Sequence, residues 1–385
     1  MDGTHYKLMI PGPIEMDPAV LAEMGKPLRA HYGPEWARFY HETVALMKRV
    51  MLAERARVFL VAGPGTAAIE MALGGIVGDG KKVLVTTNGF FGDRLVQIAR
   101  AYTPHVILLE IPWGEPLDPQ QLDDALKRDP EIRAVALVHC ETSTGVLNPL
   151  KELAEVCRRH DVLCVVDAVS SLGGAELRFD EWGLGAVASA TQKGLECPPG
   201  LAPVAFSPEA WEVVEGTRAQ QWYLSPKTWA RYEEEWGEWH PHPTTMPSGL
   251  MNALHLSLTR ILEEGLEARW ARHERVARAL RRGLEALGFS SVACEERFAS
   301  PTVTAMRTPE GVEAGAVMRF LKDELGVLIG GGLGALKGKA IRVGHMGPTA
   351  RMGEIVSLLY GVEEALRKMG RDVGPGQALR ALNGS

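Results

Sequence analysis

Apolar residues recur along the chain in short runs, separated by longer amphipathic stretches. Seven runs are rich in valine and apolar on both faces, which is typical of strands buried inside a sheet. Stretches between them, such as TAAIEMALGGI and NPLKELAEVCRRHD, predict covering helices. This alternation predicts an α/β fold with a mostly parallel sheet. The seven runs are residues 57–63, 82–89, 105–112, 134–141, 162–169, 186–193 and 202–207.

The rhythm breaks at residues 216–248, where four tryptophans and two His-Pro pairs make a segment too irregular for a strand and too interrupted for one helix. We interpret it as a packed crossing segment. A helical pattern then continues to Gly288 and predicts one long helix leaving the first domain. The prediction is therefore an N-terminal segment (1–18) packed with the smaller domain, a large domain (19–255), a smaller C-terminal α/β domain (256–370) and a frayed tail (371–385).

Composition narrows the class of protein. Of 385 residues, 46% are hydrophobic and 23% charged, as in an ordinary globular protein. A formal net charge of -6 gives no electrostatic footprint for nucleic acid or an anionic membrane, and no apolar run reaches the length of a signal peptide or a membrane span. The five cysteines are scattered without a CxxC pair, which predicts neither a disulfide framework nor a metal site. We expect a soluble, cytoplasmic protein.

Two charged residues lie in neighbouring runs, near their carboxyl ends. Asp167 ends VLCVVD, and Lys193 closes the next run. Alone, such an aspartate is more often a cap and such a lysine more often a surface residue. Both side chains, however, are expected at the carboxyl edge of adjacent strands, where α/β sheets bind ligands. A carboxylate for a pyridine nitrogen and an amine for an aldehyde are what pyridoxal phosphate requires.

Three further motifs could contribute polar groups. VAGPGTAAIEMAL runs from a strand through 63–66 into a helix, a turn that could hold a phosphate or could simply pack tightly. Ser143 and Thr144 could bind a ligand, although capping the next helix is the commoner role. Arg342 lies between apolar neighbours and would bind either a substrate carboxylate or an internal acidic residue.

Together these motifs resemble the class V aminotransferases, and within them the alanine/serine–glyoxylate (or pyruvate) branch. The resemblance spans nearly the whole chain in the family's order. The motifs are PGP (11–13), GPGTAAIE (63–70), GFFGDR (89–94), ETSTGVLNPL (141–150), VVDAVSSLGG (165–174), TQKGLECPPGL (191–201), EEGLEARWARH (263–273) and GKAIRVGHMG (338–347).

The resemblance implies fold type I, the aspartate-aminotransferase-like fold with a seven-stranded large domain, and pyridoxal 5′-phosphate as cofactor. It implies that Lys193 forms the Schiff base and moves the substrate proton, and that Asp167 faces the ring nitrogen. Gly12, Ser143 and Arg342 would contact the substrate. The implied cofactor contacts are Pro64, Gly65, Thr66, Phe91, Ser143, Asp167, Val169, Gln192 and Lys193, with His242 and Thr245 contributed by the partner subunit of a homodimer.

Three positions depart from the pattern of the family. Phe91 stands where tryptophan is frequent, His242 where tyrosine is frequent, and His31-Tyr32 where many bacterial relatives carry His-Arg. Phe91 keeps an aromatic face but has no N–H donor.

The implied reaction is ping-pong transamination between alanine or serine and glyoxylate or pyruvate. The absence of a long cationic cluster favours neutral donors, although aspartate or an aminophosphonate stays open as a donor. The alternatives are a pyridoxal-phosphate lyase, such as a cysteine desulfurase or a kynureninase relative, and a non-catalytic subunit of the same fold. Gln192 stands where desulfurases usually carry histidine, which weighs against the first.

Overall fold

The computed structural model describes residues 6–218 and 220–382, which form two hydrophobic cores. The strands are β1 (Lys7–Leu8), β2 (Arg57–Ala62), β3 (Lys82–Thr87), β4 (Val106–Glu110), β5 (Ile132–Val138), β6 (Cys140–Glu141), β7 (Val146–Leu147), β8 (Leu163–Asp167), β9 (Ala186–Ala188), β10 (Leu201–Phe206), β11 (Ser290–Ser291), β12 (Val303–Arg307), β13 (Val327–Leu328), β14 (Gly330–Gly331) and β15 (Ala340–Gly344).

Helices cover the strands. They are α1 (Pro18–Met24), α2 (Pro34–Met51), α3 (Gly65–Val77), α4 (Phe90–Tyr102), α5 (Pro119–Arg128), α6 (Leu150–Arg159), α7 (Phe179–Trp182), α8 (Pro208–Gly216), α9 (Pro226–Trp236), α10 (Ser248–Glu264), α11 (Leu266–Ala286), α12 (Ala314–Leu325), α13 (Met352–Lys368) and α14 (Gln377–Ala381).

The larger core is built on a seven-stranded sheet in the order β2-β10-β9-β8-β5-β3-β4. Only β10 runs antiparallel to its two neighbours, so the prediction of a mostly parallel sheet is confirmed. All seven predicted runs form strands of this sheet. Each strand is bounded by turn residues, and all except the edge strand β4 are largely buried on both faces. Burial on both faces is why these strands could be recognised as continuous apolar runs.

The smaller core surrounds a four-stranded sheet in the order β11-β12-β15-β14. The described part of the N-terminal segment belongs to it, because β1 pairs in parallel with β13 and Met9 is buried in this core. No helix among residues 6–218 and 220–382 is long and apolar enough to cross a lipid bilayer.

One expectation about the chain's organisation is wrong. The single long helix is two helices interrupted at Gly265, whose φ of 82° is a backbone conformation that favours glycine. Leu266 lies in the larger core and Val276 in the smaller one, so the chain passes from one core to the other within α11, while the domain boundary at 255 stays a prediction.

The tail predicted to fray is packed through its described part. It forms α14, whose Ala378 is fully buried. The carboxylate of Glu363 accepts hydrogen bonds from the amides of Gly376 (2.9 Å) and Ala378 (2.7 Å). These contacts satisfy the start of a short helix that local propensity alone would not hold.

Candidate active site

A cavity of about 230 Å³ opens at the carboxyl ends of β5 and β8. The structure brings nine of the predicted site residues to its wall, although they come from five separate stretches of sequence. They are Gly12, Pro64, Gly65, Thr66, Phe91, Asp167, Val169, Gln192 and Lys193.

Asp167 and Lys193 reach this cavity because neighbouring parallel strands end at the same edge. Asp167 is the last residue of β8 and lies opposite Ala188, the last residue of β9. A short turn after β9 returns Lys193 to that edge. The positions follow from the doubly wound topology, which collects the ends of its strands into one crevice.

Burial perturbs both groups in the direction that disfavours charge. It raises the pKa of Asp167 to about 6, against the opposing hydrogen bond from the Val169 amide (2.9 Å). Burial lowers the pKa of Lys193 to about 8, and nearby Arg342 lowers it further. The cavity therefore holds an amine that is partly neutral near physiological pH and a carboxylate that gains stability from any cation placed beside it.

The loop at Gly12 closes over the lysine. The Lys193 Nζ donates a hydrogen bond to the carbonyl oxygen of Pro11. Gly12 has a φ of 138°, and a Cβ at this position would collide with the lysine side chain. Glycine is required both by this conformation and by the close approach.

The other end of the cavity is suited to an anion. Pro64, Gly65 and Thr66 start α3, and no side chain caps that helix terminus. A Cβ on Gly65 would lie 2.9 Å from the Ala190 Cβ, so only glycine leaves the space free. The buried Oε1 of Gln192 has no hydrogen-bond partner among the described residues. Free backbone amides and the positive end of a helix dipole fit a phosphate group, whereas the Gln192 Oε1 is an acceptor and would have to pair with a donor.

Ser143, a predicted cofactor and substrate contact, is held in hydrogen bonds within the protein. Its hydroxyl donates to Glu141 Oε1 (2.6 Å) and accepts from the Phe90 amide (3.0 Å). The hydroxyl proton of Ser143 is therefore already used in the hydrogen bond to Glu141, and Ser143 does not line the cavity. The neighbouring Thr142 does line it, with its hydroxyl donating to Ser170 Oγ (2.7 Å). Within this motif it is Thr142, one position before Ser143, that lines the cavity.

Arg342 lies behind the wall instead of on it. Its guanidinium donates to the carbonyl oxygens of Gly331 (2.7 Å) and of cavity-lining Thr142 (3.3 Å). Within residues 6–218 and 220–382, no carboxylate forms an ion pair with it, so the alternative of an internal salt bridge is wrong. Burial lowers its pKa, against the attraction of Glu141. A largely buried, unpaired guanidinium provides a site for an anion.

His242 lacks the free ring nitrogen that the predicted phosphate contact needs. Its Nε2 accepts from the Trp36 indole N–H (2.7 Å), so its Nδ1 carries the proton and donates to the Thr244 carbonyl (2.7 Å). Thr245, in contrast, is exposed. The sequence also gave no sign that His31 and His240 lie beside His242, with candidate ligand atoms within 4.8 Å of one another. Both ring nitrogens of His242 are engaged, and His240 Nε2 and His31 Nδ1 form a hydrogen bond with each other (3.3 Å).

Two charged residues were missed by the sequence analysis. Arg94 lines the cavity, with its guanidinium 5.0 Å from the centre of the Phe91 ring and no carboxylate paired to it in the described part of the chain. Neutral donors were favoured because no long cationic cluster was evident, and Arg94 adds a single cation to the cavity wall. Glu141 is fully buried against α4. One signal was available for Arg94, which follows Phe91 by one helical turn.

These groups define the ligand that the cavity can accept. It has donors for a phosphate at one end, a buried carboxylate for a cationic ring nitrogen, the apolar surfaces of Phe91 and Val169 for a flat ring, and an amine for a carbonyl carbon. The residues present therefore fit pyridoxal phosphate, because the cavity provides each chemical group that the cofactor needs.

Comparison with known proteins gives one consistent result. Residues 24–351 match the family model described as aminotransferase class V. The chain is 38% identical to an uncharacterized aminotransferase of Methanocaldococcus jannaschii, over 97% of this chain and 96% of the relative. It is 35% identical to the L-aspartate–glyoxylate aminotransferase of Paracoccus denitrificans, over 88% and 86%. A crystal structure of alanine–glyoxylate aminotransferase from Nostoc sp. superimposes with a TM-score of 0.90 at 36% identity, covering 95% of this chain and 97% of that one.

Proposed function

We propose that this chain, which belongs to the class V aminotransferase family, transfers the amino group of alanine or serine to glyoxylate or pyruvate. Membership of the family makes it an aminotransferase that uses pyridoxal phosphate. The observation that carries the proposal is the joint placement of Asp167 and Lys193 on one cavity wall with a phosphate-binding helix terminus.

When bound, pyridoxal phosphate supplies a carbonyl carbon that exchanges amines and a ring that accepts the electron pair of the substrate's Cα–H bond. Lys193 would hold that carbonyl in the resting enzyme and, as a neutral amine of lowered pKa, would take the Cα proton and return it. Asp167 keeps a proton at the ring nitrogen. The backbone amides in the first turn of α3 would hold the phosphate, and Gln192, which lines the same cavity, would contact it through its side-chain N–H₂ group.

The choice of 2-oxo acid rests on chemistry and on the relatives. Glyoxylate is named as a substrate of both the Paracoccus relative and the Nostoc structure. Thr142 and Ser170 give the cavity a wall of small hydroxyl groups, and Arg342 lies directly behind Thr142. A small α-carboxylate is the substrate group that suits this wall.

Aspartate is a second candidate donor because of Arg94. An unpaired guanidinium in the cavity wall could bind the second carboxylate of a dicarboxylic amino acid. The Paracoccus relative is named for aspartate. We therefore retain alanine or serine as the proposed donors and aspartate as the alternative.

A panel of donors and acceptors tests the proposal. We expect the purified protein to convert alanine or serine with glyoxylate, giving parallel double-reciprocal plots. Arg342→Gln should raise KM for every amino acid by on the order of 10- to 100-fold, because it removes a charged hydrogen-bond donor. Arg94→Gln is the matched variant, and it should raise KM for aspartate alone. No amino transfer from alanine, serine or aspartate to glyoxylate or pyruvate would contradict the proposal.

We also propose that the chain is a homodimer with shared active sites. An exposed aromatic cluster supports this, since Tyr32 and Trp236 pack against Trp239 with ring centres 5.3 and 6.1 Å apart and each is about half exposed. Exposed Thr245 lies a few residues further along this segment. The cytoplasmic location stays a prediction from the sequence.

Light scattering tests the dimer. The parent protein should have twice the mass of the 41.9 kDa chain. Trp239→Glu should shift it to monomer and lower its affinity for the cofactor. Tyr360→Glu, which changes an equally exposed aromatic residue of the smaller domain, should leave the dimer intact. A monomeric parent protein with full activity would disprove the shared site.

A further inference from the structure

Glu141 is a buried carboxylate for which the sequence gives no partner. It is fully buried, and no lysine or arginine in the described ranges 6–218 and 220–382 forms an ion pair with it. A carboxylate taken out of water in this way must be satisfied by several donors. The hydrogen-bond donors around Glu141 therefore show which segments of the chain it holds in place.

Its hydrogen bonds come from the start of α4 and from Ser143, through three backbone amides and one hydroxyl group. Oε2 accepts from the amides of Phe91 (3.1 Å) and Gly92 (2.9 Å), at the start of α4. Oε1 accepts from the amide (3.0 Å) and hydroxyl (2.6 Å) of Ser143. One side chain thus links the motif after β5 to a helix fifty residues earlier.

Glu141 and Ser143 together complete the N-terminus of α4. The first amides of a helix have no partner within it. No side chain of the helix's own N-cap, Gly89, can supply one. Ser143 Oγ accepts from the Phe90 amide (3.0 Å), and Glu141 accepts from the next two. A Cβ on Gly89 would lie 2.5 Å from the Glu141 carboxyl carbon, which shows how closely the two segments approach.

The same turn carries part of the cavity wall. Phe91 is the second residue of α4, and Arg94 follows one turn later. Thr142, between Glu141 and Ser143, also lines the cavity. A shift of this junction would therefore move an aromatic surface, a cation and a hydroxyl group at once.

We propose that Glu141 is a positioning residue of the active site, which acts through the first turn of α4 to place Phe91 and through Ser143 to place Thr142. The negative charge suits the positive end of the helix dipole. The inference rests on the proposed function only in taking the cofactor to bind in this cavity.

Glu141→Gln tests the proposal, because it keeps the shape but turns an N–H₂ group or a weaker acceptor toward the amides. The holoenzyme should bind pyridoxal phosphate about 10- to 100-fold more weakly in equilibrium dialysis. The visible absorbance of the bound cofactor should change, and kcat should fall with KM for the amino acid changed by less than about threefold.

A matched control separates positioning from general stability. Asp118 caps α5 in the same way, accepting from the Gln120 amide (2.9 Å), but does not line the cavity. Asp118→Ala should leave cofactor affinity and absorbance unchanged. Ser143→Ala should weaken cofactor binding less than Glu141→Gln. The fold-loss of cofactor affinity in the double variant should be smaller than the product of the two single fold-losses, because both residues act on one helix terminus.

The outcomes are distinct. A parent protein that binds no pyridoxal phosphate would refute the proposed function and leave the inference without its premise. A parent that binds it, together with a Glu141→Gln holoenzyme of unchanged affinity and absorbance, would overturn the inference. Equal effects of Glu141→Gln and Asp118→Ala on cofactor affinity would also overturn it.

Discussion

Replacing Lys193 by alanine is expected to lower kcat for amino transfer by about 10⁴-fold or more. Lys193 is the amine with the lowered pKa of about 8 in the cavity, and it lies beside Asp167 at the same edge of the sheet. Among residues 6–218 and 220–382, no other lysine lines that cavity. The variant loses both the covalent attachment of the cofactor and the base that moves the Cα proton.

The fold should survive this change. The one hydrogen bond of the Lys193 amine runs to the Pro11 carbonyl, and burial already disfavours its charge, so we expect the free energy of unfolding to change by less than about 2 kcal/mol. Lys82→Ala, which removes an ion pair with Asp129 (2.9 Å) at the surface, is the control and should retain full activity. Steady-state kinetics and urea titration measure both quantities. A Lys193→Ala variant with a tenth of the parent kcat would refute the assignment.

Asp167→Asn is expected to make the cofactor-free protein more stable and the enzyme much less active. The pKa of Asp167 is about 6 in the folded chain against an ordinary 3.8. Between these values the folded chain keeps a proton that the unfolded chain has lost, so the stability of the parent falls as pH rises from about 4 to about 6. Above pH 6 the buried charge costs about 3 kcal/mol, which the amide variant avoids.

Asparagine keeps the acceptor for the Val169 amide but cannot hold a proton on a ring nitrogen. We expect kcat to fall by about 10²- to 10⁴-fold. Thermal unfolding of the cofactor-free proteins should show equal stability of variant and parent near pH 4. The stability difference between them should grow as the pH rises to about 6 and stay constant above that pH. A variant that is less stable than the parent at pH 8, or that keeps the parent's kcat, would contradict this account.

The sheet could be predicted because its pattern is local. Each of the seven strands is an apolar run bounded by turn residues, and parallel topology then brings Asp167 and Lys193 to one edge. The family resemblance read from the motifs is confirmed by the match over residues 24–351. The break at Gly265 escaped prediction because the apolar spacing continues on both sides of it.

The placement of several site residues depends on contacts between distant parts of the chain. Ser143 is held by Glu141 and the Phe90 amide, and His242 by Trp36, more than two hundred residues earlier. A sequence motif gives the type of side chain at a turn, but which of two adjacent residues faces the cavity depends on such contacts. Glu141 could not be assigned for the same reason.

Reduction with borohydride followed by peptide mapping tests the central claim most directly, namely that Lys193 is the residue to which the cofactor is attached. The protein is purified with pyridoxal phosphate, reduced, digested and examined by mass spectrometry. The account predicts one modified peptide that contains Lys193, and none from the Lys193→Ala variant. A parent protein in which Lys193 stays unmodified, or in which another lysine carries the cofactor, would contradict it.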